Sequence, residues 1–414
     1  MPSPHIFVTG LGAVTPLGFS VAGTWSALLA GRDAVGPFDL FDLGGLACNR
    51  AGQIRGYSPP PAILEAGAHD RALGFAAGAC LEALGKSGMR NAECGVRSAE
   101  CGTWSAECGI VTATNFGSLD RGECALVPAA GEPPSSLPPD TCRDRMAGAG
   151  ADLLARALGL GGPRATVTLS CAAGAAGLAL AAGILRRGRA ERMLVVGYDA
   201  LSRFAWSGLC ALRTMARDWV RPFDRNRSGT IFSEGAAALL LETGSACRRR
   251  GAAPLAELAG WGANNNGYHM TAPAPRGAGS AQVMRQALAR AGLPPEAIDH
   301  FNAHGTGTRP NDLTESQALA DVFGAHAAAI PVTSVKGSLG HMLGAAGTVE
   351  AVASVLTLRD GVIPPTTHFE TPDPECPVDL VANAPREVQA RCVLSNSAGI
   401  GGCNAAVIFR RCDG

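Results

Sequence analysis

The stretch Thr166-Val-Thr-Leu-Ser-Cys171-Ala-Ala-Gly-Ala-Ala-Gly177 decides the fold of this chain. A β-branched run stops at Ser170, and a run of small residues follows it. This change predicts a buried strand, a sharp turn and a closely packed helix that begins at Cys171. Backbone N–H groups and the positive end of the helix dipole favour an anion at such a position. We therefore expect Cys171 to be a nucleophile whose pKa lies below that of a free thiol.

A second segment has the same pattern. Pro331 to Leu356 contains Val335-Lys-Gly-Ser-Leu-Gly-His341 and then another run of small residues, as the Thr166 to Leu185 segment does. Recurring strand–turn–helix units predict an α/β fold, and the repetition indicates an internal duplication. We place the boundary near residue 250. The predicted halves are 1–250, which carries the cysteine, and 251–414, with the active site assembled between them.

Composition excludes several classes of protein. The 414 residues are 47% hydrophobic and include 35 basic and 35 acidic side chains, so no net charge attracts nucleic acid or an anionic membrane. The N-terminus shows no basic and then apolar signal segment, and the apolar stretch 165–185 is better explained by a buried strand and helix than by a membrane span. We expect a soluble, cytoplasmic protein.

Fourteen cysteines without a secretory signal favour reduced thiols over a disulfide framework. Three of them, Cys94, Cys101 and Cys108, occur in a seven-residue unit that is repeated three times. A metal or redox site is one interpretation. A lengthened surface loop before the strand Gly109-Ile-Val-Thr is the one we favour, because each unit contains a helix-breaking glycine and the spacing matches no familiar ligand pattern. No metal site is predicted.

Three distant segments could complete a site around Cys171. They contain His304, the pair Lys336 and His341, and the Gly-rich turn Asn396-Ser-Ala-Gly-Ile-Gly-Gly402. Each residue has an ordinary structural explanation when it is considered singly. A cysteine, two histidines and a lysine in four such segments together indicate nucleophilic catalysis with positioned hydrogen-bond donors.

These segments resemble those of β-ketoacyl-acyl-carrier-protein synthases. Val8-Thr-Gly-Leu-Gly-Ala-Val-Thr-Pro-Leu-Gly18 is similar to the opening strand and turn of that family, and Arg221-Pro-Phe-Asp-Arg-Asn-Arg-Ser-Gly229, followed by Glu234-Gly235, to its mid-chain signature. The resemblance implies a thiolase-like fold of five layers, α-β-α-β-α, made of two similar halves and usually dimeric. It also implies that Arg227 and Glu234 are scaffold residues.

The family's chemistry implies a role for each candidate residue. Cys171 would take the acyl group from a carrier protein, and the backbone N–H groups of Cys171 and Ile400 would form the oxyanion hole. His304 and His341 would stabilise the enolate that forms when malonyl-carrier protein loses carbon dioxide. Lys336 would tune and orient His341.

Further residues are expected to support or hold the substrate. Glu350 would pair with Lys336, and the hydroxyl groups of Thr306 and Thr308 would hold the phosphopantetheine arm, which arrives on the carrier protein. No bound cofactor is expected, because Gly10-Leu-Gly12 is followed by Thr15 where a dinucleotide fingerprint has glycine.

Three positions depart from the family. Ala398, Ile400 and Thr230 stand where relatives commonly have aromatic residues, one of which separates the acyl pocket from the pantetheine tunnel. The loss of rings at this acyl-pocket gate predicts a broader, longer or bulkier acyl group. Because carrier proteins are acidic, a basic docking patch is also expected, with candidates Arg71, Arg203 and Arg213.

Two alternatives remain. One is a non-catalytic or partner-dependent subunit like the chain-length factors that pair with ketosynthases, although such subunits lack the reactive cysteine. The other is a coenzyme A-dependent thiolase that uses Cys403 as acid and base. The partners expected for a synthase are acyl- and malonyl-carrier proteins, and a second subunit in a homodimer or a heterodimer.

Overall fold

The computed structural model describes residues 4–42, 48–66, 70–87, 108–117 and 146–412. The strands are β1 (Ile6–Val14), β2 (Gly36–Pro37), β3 (Arg50–Ala51), β4 (Cys108–Ala113), β5 (Arg164–Val167), β6 (Arg192–Asp199), β7 (Gly235–Thr243), β8 (Ala256–Asn265), β9 (His300–Asn302), β10 (Pro331–Thr333), β11 (Val362–Ile363), β12 (Asp379–Leu380), β13 (Arg386–Glu387), β14 (Cys392–Gly399) and β15 (Cys403–Arg410). The helices are α1 (Val21–Leu29), α2 (Pro61–Glu65), α3 (Arg71–Lys86), α4 (Ala149–Leu158), α5 (Ala173–Arg186), α6 (Arg203–Ala211), α7 (Gly244–Arg250), α8 (Ala278–Ala291), α9 (Arg309–Phe323), α10 (Lys336–Leu339) and α11 (Ala346–Asp360).

The strands of the first half lie in the order β1-β7-β6-β4-β5, and those of the second half in the order β8-β15-β14-β9-β10. In each half the first two pairings are antiparallel and the last two are parallel. The two halves therefore repeat one topology, as an internal duplication would produce. β12 extends the second half beyond β10.

The two half-sheets are joined where Phe7 and Val8 of β1 pair with Glu257 and Ala256 of β8. The boundary that we predicted near residue 250 falls between α7, which ends at Arg250, and β8. One continuous sheet joins the two halves, so the structure does not separate them into two domains. The division into 1–250 and 251–414 stays a prediction about how the halves arose.

Helices cover both faces of each half-sheet. One apolar core lies between the first half-sheet and α3 and α4, and another between the second half-sheet and α8 and α9. A third core contains α5 and α11 together with strands of both half-sheets. The layers are therefore α-β-α-β-α, and the predicted thiolase-like fold is confirmed.

The two central helices cross at a pair of glycines. A Cβ atom at Gly174 of α5 would lie 2.6 Å from the backbone nitrogen of Thr348, and one at Gly347 of α11 would lie 2.6 Å from that of Ala175. Only glycine permits so close an approach of the backbones, because any side chain would push the helices apart. The small-residue runs of the sequence thus bring the N-terminal ends of α5 and α11 together.

Part of the cysteine repeat lies outside the described residues, namely Cys94 and Cys101. Cys108 opens β4, the strand that was predicted at this point. In the described part of the chain, no group of three or more His, Cys, Asp or Glu side chains is placed to hold a metal ion. Among the helices of the same residues, none is long and apolar enough to cross a membrane.

Candidate active site

Cys171 lies in a 3₁₀ turn between β5 and α5. The preceding residue, Ser170, adopts a left-handed backbone conformation with φ of 50°, which makes the sharp turn that the sequence predicted. The cysteine side chain is buried, and the Ser170 Oγ lies 3.9 Å from its Sγ. Cys171 therefore occupies the start of a buried helix at the crossing of α5 and α11.

The electrostatic expectation for this thiol was wrong. Burial raises the pKa of Cys171 to about 11, and the hydrogen bond from Ser170 and the charge of Lys336 only partly oppose that effect. The position at a helix start favours the thiolate, but desolvation of a buried anion costs more than the helix terminus returns. With a pKa of about 11, the thiol is protonated at neutral pH.

His304 is held by a carboxylate that the sequence did not reveal. It follows β9, and its backbone N–H donates to Glu315 Oε1 at 2.7 Å, while Gly305 N–H donates to Oε2 at 2.8 Å. Asn396 Nδ2 donates to the same Oε1 at 2.7 Å. Glu315, on α9, therefore ties the His304 loop to the Gly-rich turn, which places two of the distant segments side by side.

Lys336 contacts His304, not His341 as we expected. Its Nζ donates to the backbone oxygen of His304 at 2.6 Å and lies 3.3 Å from Nδ1 of the same ring. Lys336 also forms a buried ion pair with Glu350, which was predicted. Sequence proximity to His341 was misleading because α10 begins at Lys336 and directs its side chain across to the β9 loop.

Both histidine rings are neutral and have a defined tautomer. Burial, together with the charge of Lys336, holds the pKa of His304 and of His341 well below the ordinary value. Nδ1 of His304 faces the ammonium of Lys336, and Nδ1 of His341 accepts from Leu343 N–H at 3.3 Å. Since an ammonium and an amide N–H only donate, both Nδ1 atoms are acceptors, and each ring carries its proton on Nε2.

The two rings lie close together. Their centroids are 5.4 Å apart and their planes are nearly perpendicular. His341 also stacks on Phe232, and its backbone bonds to Ile231 and Ser233 fix the loop beneath it. Two neutral rings that each carry an Nε2 proton thus lie side by side at one cavity, as stabilisation of a developing oxyanion by two donors requires.

One cavity of about 530 Å³ joins these groups. Cys171, His304 and His341 line it, together with the predicted substrate-binding and gate residues Thr306, Thr308, Thr230, Ala398 and Ile400. Lys336 and Glu350 are not among the described lining residues and lie behind His304. The structure thus brings every predicted site residue into this cavity or directly behind it.

The Gly-rich turn packs against the backbone of Cys171. A Cβ atom at Gly399 would lie 3.1 Å from the nitrogen of Cys171 and 3.0 Å from the Cβ of Ser170. The neighbouring Ile400 is 37% exposed and lines the same cavity. Backbone N–H groups of Cys171 and Ile400 are therefore on adjacent segments, as an oxyanion hole built from both would need.

The two threonines of the β9 loop form a pair. Thr306 and Thr308 hydroxyl oxygens are 2.9 Å apart, and both side chains line the cavity. One hydroxyl donates its proton to the other. The pair therefore keeps one O–H donor, and oxygen lone pairs as acceptors, for a substrate amide.

Some other candidates have structural roles. Arg71 pairs with buried Glu234 and donates to Ile54 oxygen at 3.2 Å, so it is a scaffold residue and not the docking residue we considered. Arg227 pairs with Asp373, consistent with its predicted scaffold role. The sulfur of Cys403 accepts from Asn265 Nδ2 at 3.4 Å, and Cys403 is absent from the described residues that line the cavity.

Asp199 is a second carboxylate that the sequence did not reveal. It accepts from Thr114 Oγ1, from the backbone N–H groups of Asn115 and Phe116, and from Gly344 N–H at 2.7 Å. Burial raises its pKa to about 6. It ties the end of β4 to the turn that follows His341.

Comparisons with known proteins agree with this geometry. A family model described as the N-terminal domain of beta-ketoacyl synthase matches residues 3–246, and the model for the C-terminal domain matches residues 255–370. The 3-oxoacyl-(acyl-carrier-protein) synthase 2 of Synechocystis is 33% identical over an alignment of 416 positions, which covers 98% of each chain. The protein of the same name from Staphylococcus aureus is 31% identical over 98% of each chain.

Solved structures share the whole fold. A ketosynthase of a type II polyketide synthase, solved with its acyl-carrier protein and bound to a hexaketide (AntDE:AntF), superposes with a TM-score of 0.89 at 27% identity over 99% of this chain and 100% of that one. The ishigamide ketosynthase/chain length factor superposes with a TM-score of 0.87 at 32% identity, over 99% of this chain and 100% of that one. A beta-ketoacyl synthase from Burkholderia phymatum superposes with a TM-score of 0.88 at 29% identity, over 99% of this chain and 100% of that one.

Proposed function

The chain belongs to the β-ketoacyl synthase family, and we propose that Cys171, His304 and His341 catalyse its condensation reaction in the cavity that they share. The members of this family are condensing acyltransferases, and so is this chain. One observation carries the assignment of residues: two neutral rings with Nε2 protons line the same cavity as a cysteine at a helix start. The non-catalytic alternative is disfavoured because none of these groups is missing.

In the first half-reaction the sulfur of Cys171, as thiolate, attacks the thioester carbon of an acyl-carrier protein. The N–H groups of Cys171 and Ile400 stabilise the oxyanion of the tetrahedral intermediate. The carbon–sulfur bond to the phosphopantetheine arm then breaks, and the departing thiolate takes up the proton that Cys171 released. Thr306 and Thr308 hold the arm by its amide groups.

In the second half-reaction malonyl-carrier protein loses carbon dioxide, and the electron pair of the broken bond forms an enolate. The Nε2 protons of His304 and His341 stabilise the enolate oxygen. The enolate carbon attacks the acyl group on Cys171, which forms a 3-oxoacyl-carrier protein and releases the cysteine thiolate to be reprotonated. Lys336 and Glu350 take no direct part and keep His304 in the required tautomer.

No bound cofactor enters this mechanism, and the phosphopantetheine arm arrives with each carrier protein. A carrier protein would dock where exposed Arg213 and Leu212 border the cavity, close to Arg203, Phe204 and Arg217 on and after α6. Acidic carrier proteins would be attracted to these arginines, and the apolar side chains would provide contact area.

A second subunit is also proposed. The ishigamide protein similar to this chain is described as a ketosynthase/chain length factor. This chain would form either a homodimer or a heterodimer with such a subunit, and the ring-free positions Ala398, Ile400 and Thr230 would leave room for a broad, long or bulky acyl group.

The experiment combines the purified chain with a panel of acyl-carrier proteins and malonyl-carrier protein, with intact masses as the readout. Acylation of Cys171 and a 3-oxoacyl product are expected, with no acylation of Cys171→Ala. The His304→Ala and His341→Ala variants should be acylated but should fail to condense. Absence of acylation with every acyl group would refute the catalytic assignment. Acylation of the wild type without condensation would point to a missing partner subunit.

A further inference from the structure

The turn that carries Ile400 has few side-chain contacts to hold it. Gly401 and Gly402 adopt left-handed conformations with φ of 89° and 78°, and a Cβ atom at Gly401 would meet nothing within 4 Å. Ile400 itself is exposed. Because glycine leaves the backbone free to rotate, side-chain packing does little to fix the direction of the Ile400 N–H.

Hydrogen bonds from β8 and the segment after it hold the turn instead. Gly401 N–H donates to the backbone oxygen of Met270 at 2.9 Å, and Asn266 N–H donates to Gly402 oxygen at 2.9 Å. A side chain at the end of β8 joins them, since Asn265 Nδ2 donates to Gly401 oxygen at 2.7 Å. Both backbone polar groups of Gly401, the residue after Ile400, are thus fixed by this one segment.

The orientation of the Asn265 amide is determined by its partners. Its Oδ1 accepts from Gly267 N–H at 2.8 Å, which leaves Nδ2 to face Gly401 oxygen and, at 3.4 Å, Cys403 Sγ. A reversed amide would set two donors against each other at Gly267 and two acceptors against each other at Gly401. Asn265 is therefore held as a donor to the turn, although the residue itself is exposed and is not part of the core.

Two N–H groups beside this turn are free to bind an oxyanion. In the part of the chain that the structure describes, neither the Cys171 N–H nor the Ile400 N–H donates a hydrogen bond to a backbone oxygen. The two lie on adjacent segments, because Gly399, which precedes Ile400, packs against the nitrogen of Cys171. Stabilisation of an oxyanion depends on the direction in which such donors are held before the reaction.

We propose that Asn265 is a positioning residue for the acylation of Cys171: its hydrogen bond to Gly401 oxygen holds the turn so that the Ile400 N–H donates to the oxyanion of the tetrahedral intermediate. This inference rests on the proposed function of Cys171, because it concerns the same acylation step. Asn265 is not among the described residues that line the cavity, so it acts through the turn and does not contact the substrate.

The test measures single-turnover acylation of Cys171 by intact mass, with the acyl-carrier protein that acylates the wild type fastest. Asn265→Leu keeps the size of the side chain and removes the amide. It should lower the limiting rate at saturating carrier protein by about 10- to 100-fold, since a displacement of about 1 Å at a reacting group can cost that much. Asn265→Asp, which keeps an acceptor for Gly267 N–H and loses the donor, should also be slow.

Alkylation of Cys171 by iodoacetamide separates positioning from folding. This reaction uses the same thiolate but forms no oxyanion, so its rate in Asn265→Leu should stay within about twofold of the wild-type rate. A variant that merely disturbed the fold around the cysteine would change both reactions.

Asn383→Asp is the matched control for Asn265→Asp. Exposed Asn383 makes the same two kinds of bond, from Nδ2 to Phe369 oxygen at 2.6 Å and from Phe369 N–H to Oδ1 at 3.3 Å, and it is not among the described residues that line the cavity. The control should leave acylation and alkylation unchanged, and a thermal melt checks that each variant is folded.

Acylation of Asn265→Leu at the wild-type rate would overturn the inference alone. So would an equal loss of acylation and alkylation, which would assign Asn265 to the fold around Cys171. A change confined to the carrier-protein concentration at half-maximal rate would overturn it as well, because it would assign Asn265 to docking. If no acyl-carrier protein acylates the wild type at Cys171, the proposed function itself fails, and the inference with it.

Discussion

Nζ of Lys336 lies 3.3 Å from Nδ1 of His304, and the same ammonium forms a buried ion pair with Glu350. The lysine is thereby a positioning residue: it fixes the tautomer of the His304 ring, and it does not itself line the cavity. Burial raises the pKa of Glu350 to about 7 even though the lysine acts to lower it. Each member of the pair consequently depends on the other to remain buried.

Removing only one member should destabilise the protein. Lys336→Met leaves Glu350 buried without its partner and should lower the free energy of unfolding by about 3–5 kcal/mol. It should also slow malonyl decarboxylation by about 100-fold, because loss of a residue that orients a catalytic group typically costs that much. Urea unfolding and release of carbon dioxide are the two measurements.

The double variant Lys336→Met/Glu350→Gln separates these effects. It should recover most of the stability, since no charge is left unpaired, but should not recover decarboxylation. Recovery of both would show that Lys336 contributes only to folding.

The high pKa of the Cys171 thiol has a kinetic signature. With a pKa raised to about 11 by burial, the thiolate fraction grows as pH rises through the accessible range. Alkylation of Cys171 by iodoacetamide should therefore increase about tenfold per pH unit between pH 7 and 10, since only the thiolate reacts. Peptide mass spectrometry measures the rate at this cysteine, with the urea-unfolded chain as control. A plateau below about pH 8 would mean that the helix start outweighs burial.

Charge reversal at the cavity mouth should weaken carrier-protein binding. Arg213 is exposed and lines the cavity. Arg213→Glu should raise KM for an acyl-carrier protein about fivefold at low ionic strength, and the difference should shrink as salt screens the charges. An acyl-pantetheine thioester without the protein should show no such change. Arg187→Glu, at the opposite end of α5 from Cys171, is the control, and an equal effect there would contradict docking at this mouth.

His300 should make stability depend on pH. It is fully buried, both ring nitrogens lack a hydrogen-bond partner, and burial lowers its pKa to about 3 from 6.5. Below pH 6.5 the His300 ring takes up a proton in the unfolded chain, whereas in the folded protein it stays neutral until the pH approaches 3. The free energy of unfolding therefore falls as the pH decreases from 6.5 towards 3. Between pH 7 and 5 the wild type should lose about 2 kcal/mol more than His300→Phe.

Urea titrations at the two pH values measure that difference. His269→Asn, at an exposed position, should follow the wild type. Parallel pH dependence in the wild type and His300→Phe would show that His300 is not responsible.

Residue pattern predicted the elements that depend on local sequence. The β-branched run and the small residues after it gave the strand, turn and helix around Cys171, and their repetition gave the duplicated topology. The order of motifs, through the family resemblance, indicated which distant segments would meet. These features can be predicted from the sequence because the periodicity of strands and helices, and the close packing that glycine permits, depend on residues only a few positions apart.

Contacts made across the fold could not be predicted in the same way. Lys336 was assigned to His341 because the two are close in sequence, whereas its contact is with His304. Glu315 is one acidic residue among several on α9, and nothing in its local sequence marks it as the acceptor for the His304 loop. The pKa of Cys171 depends on how much of the fold covers it. Each of these depends on tertiary packing.

The antiparallel pairing of β1 with β7 and β8 has a consequence for synthesis of the protein. In the part of the chain that the structure describes, the first strand, residues 6–14, pairs with residues 236–243 and 256–257. At ribosomal rates of about 5–20 residues per second, a nascent chain carries this apolar strand without its partners for roughly 10–50 seconds. Chaperone supply and translation speed should therefore limit the yield of folded enzyme, and truncated chains that end before β7 should aggregate.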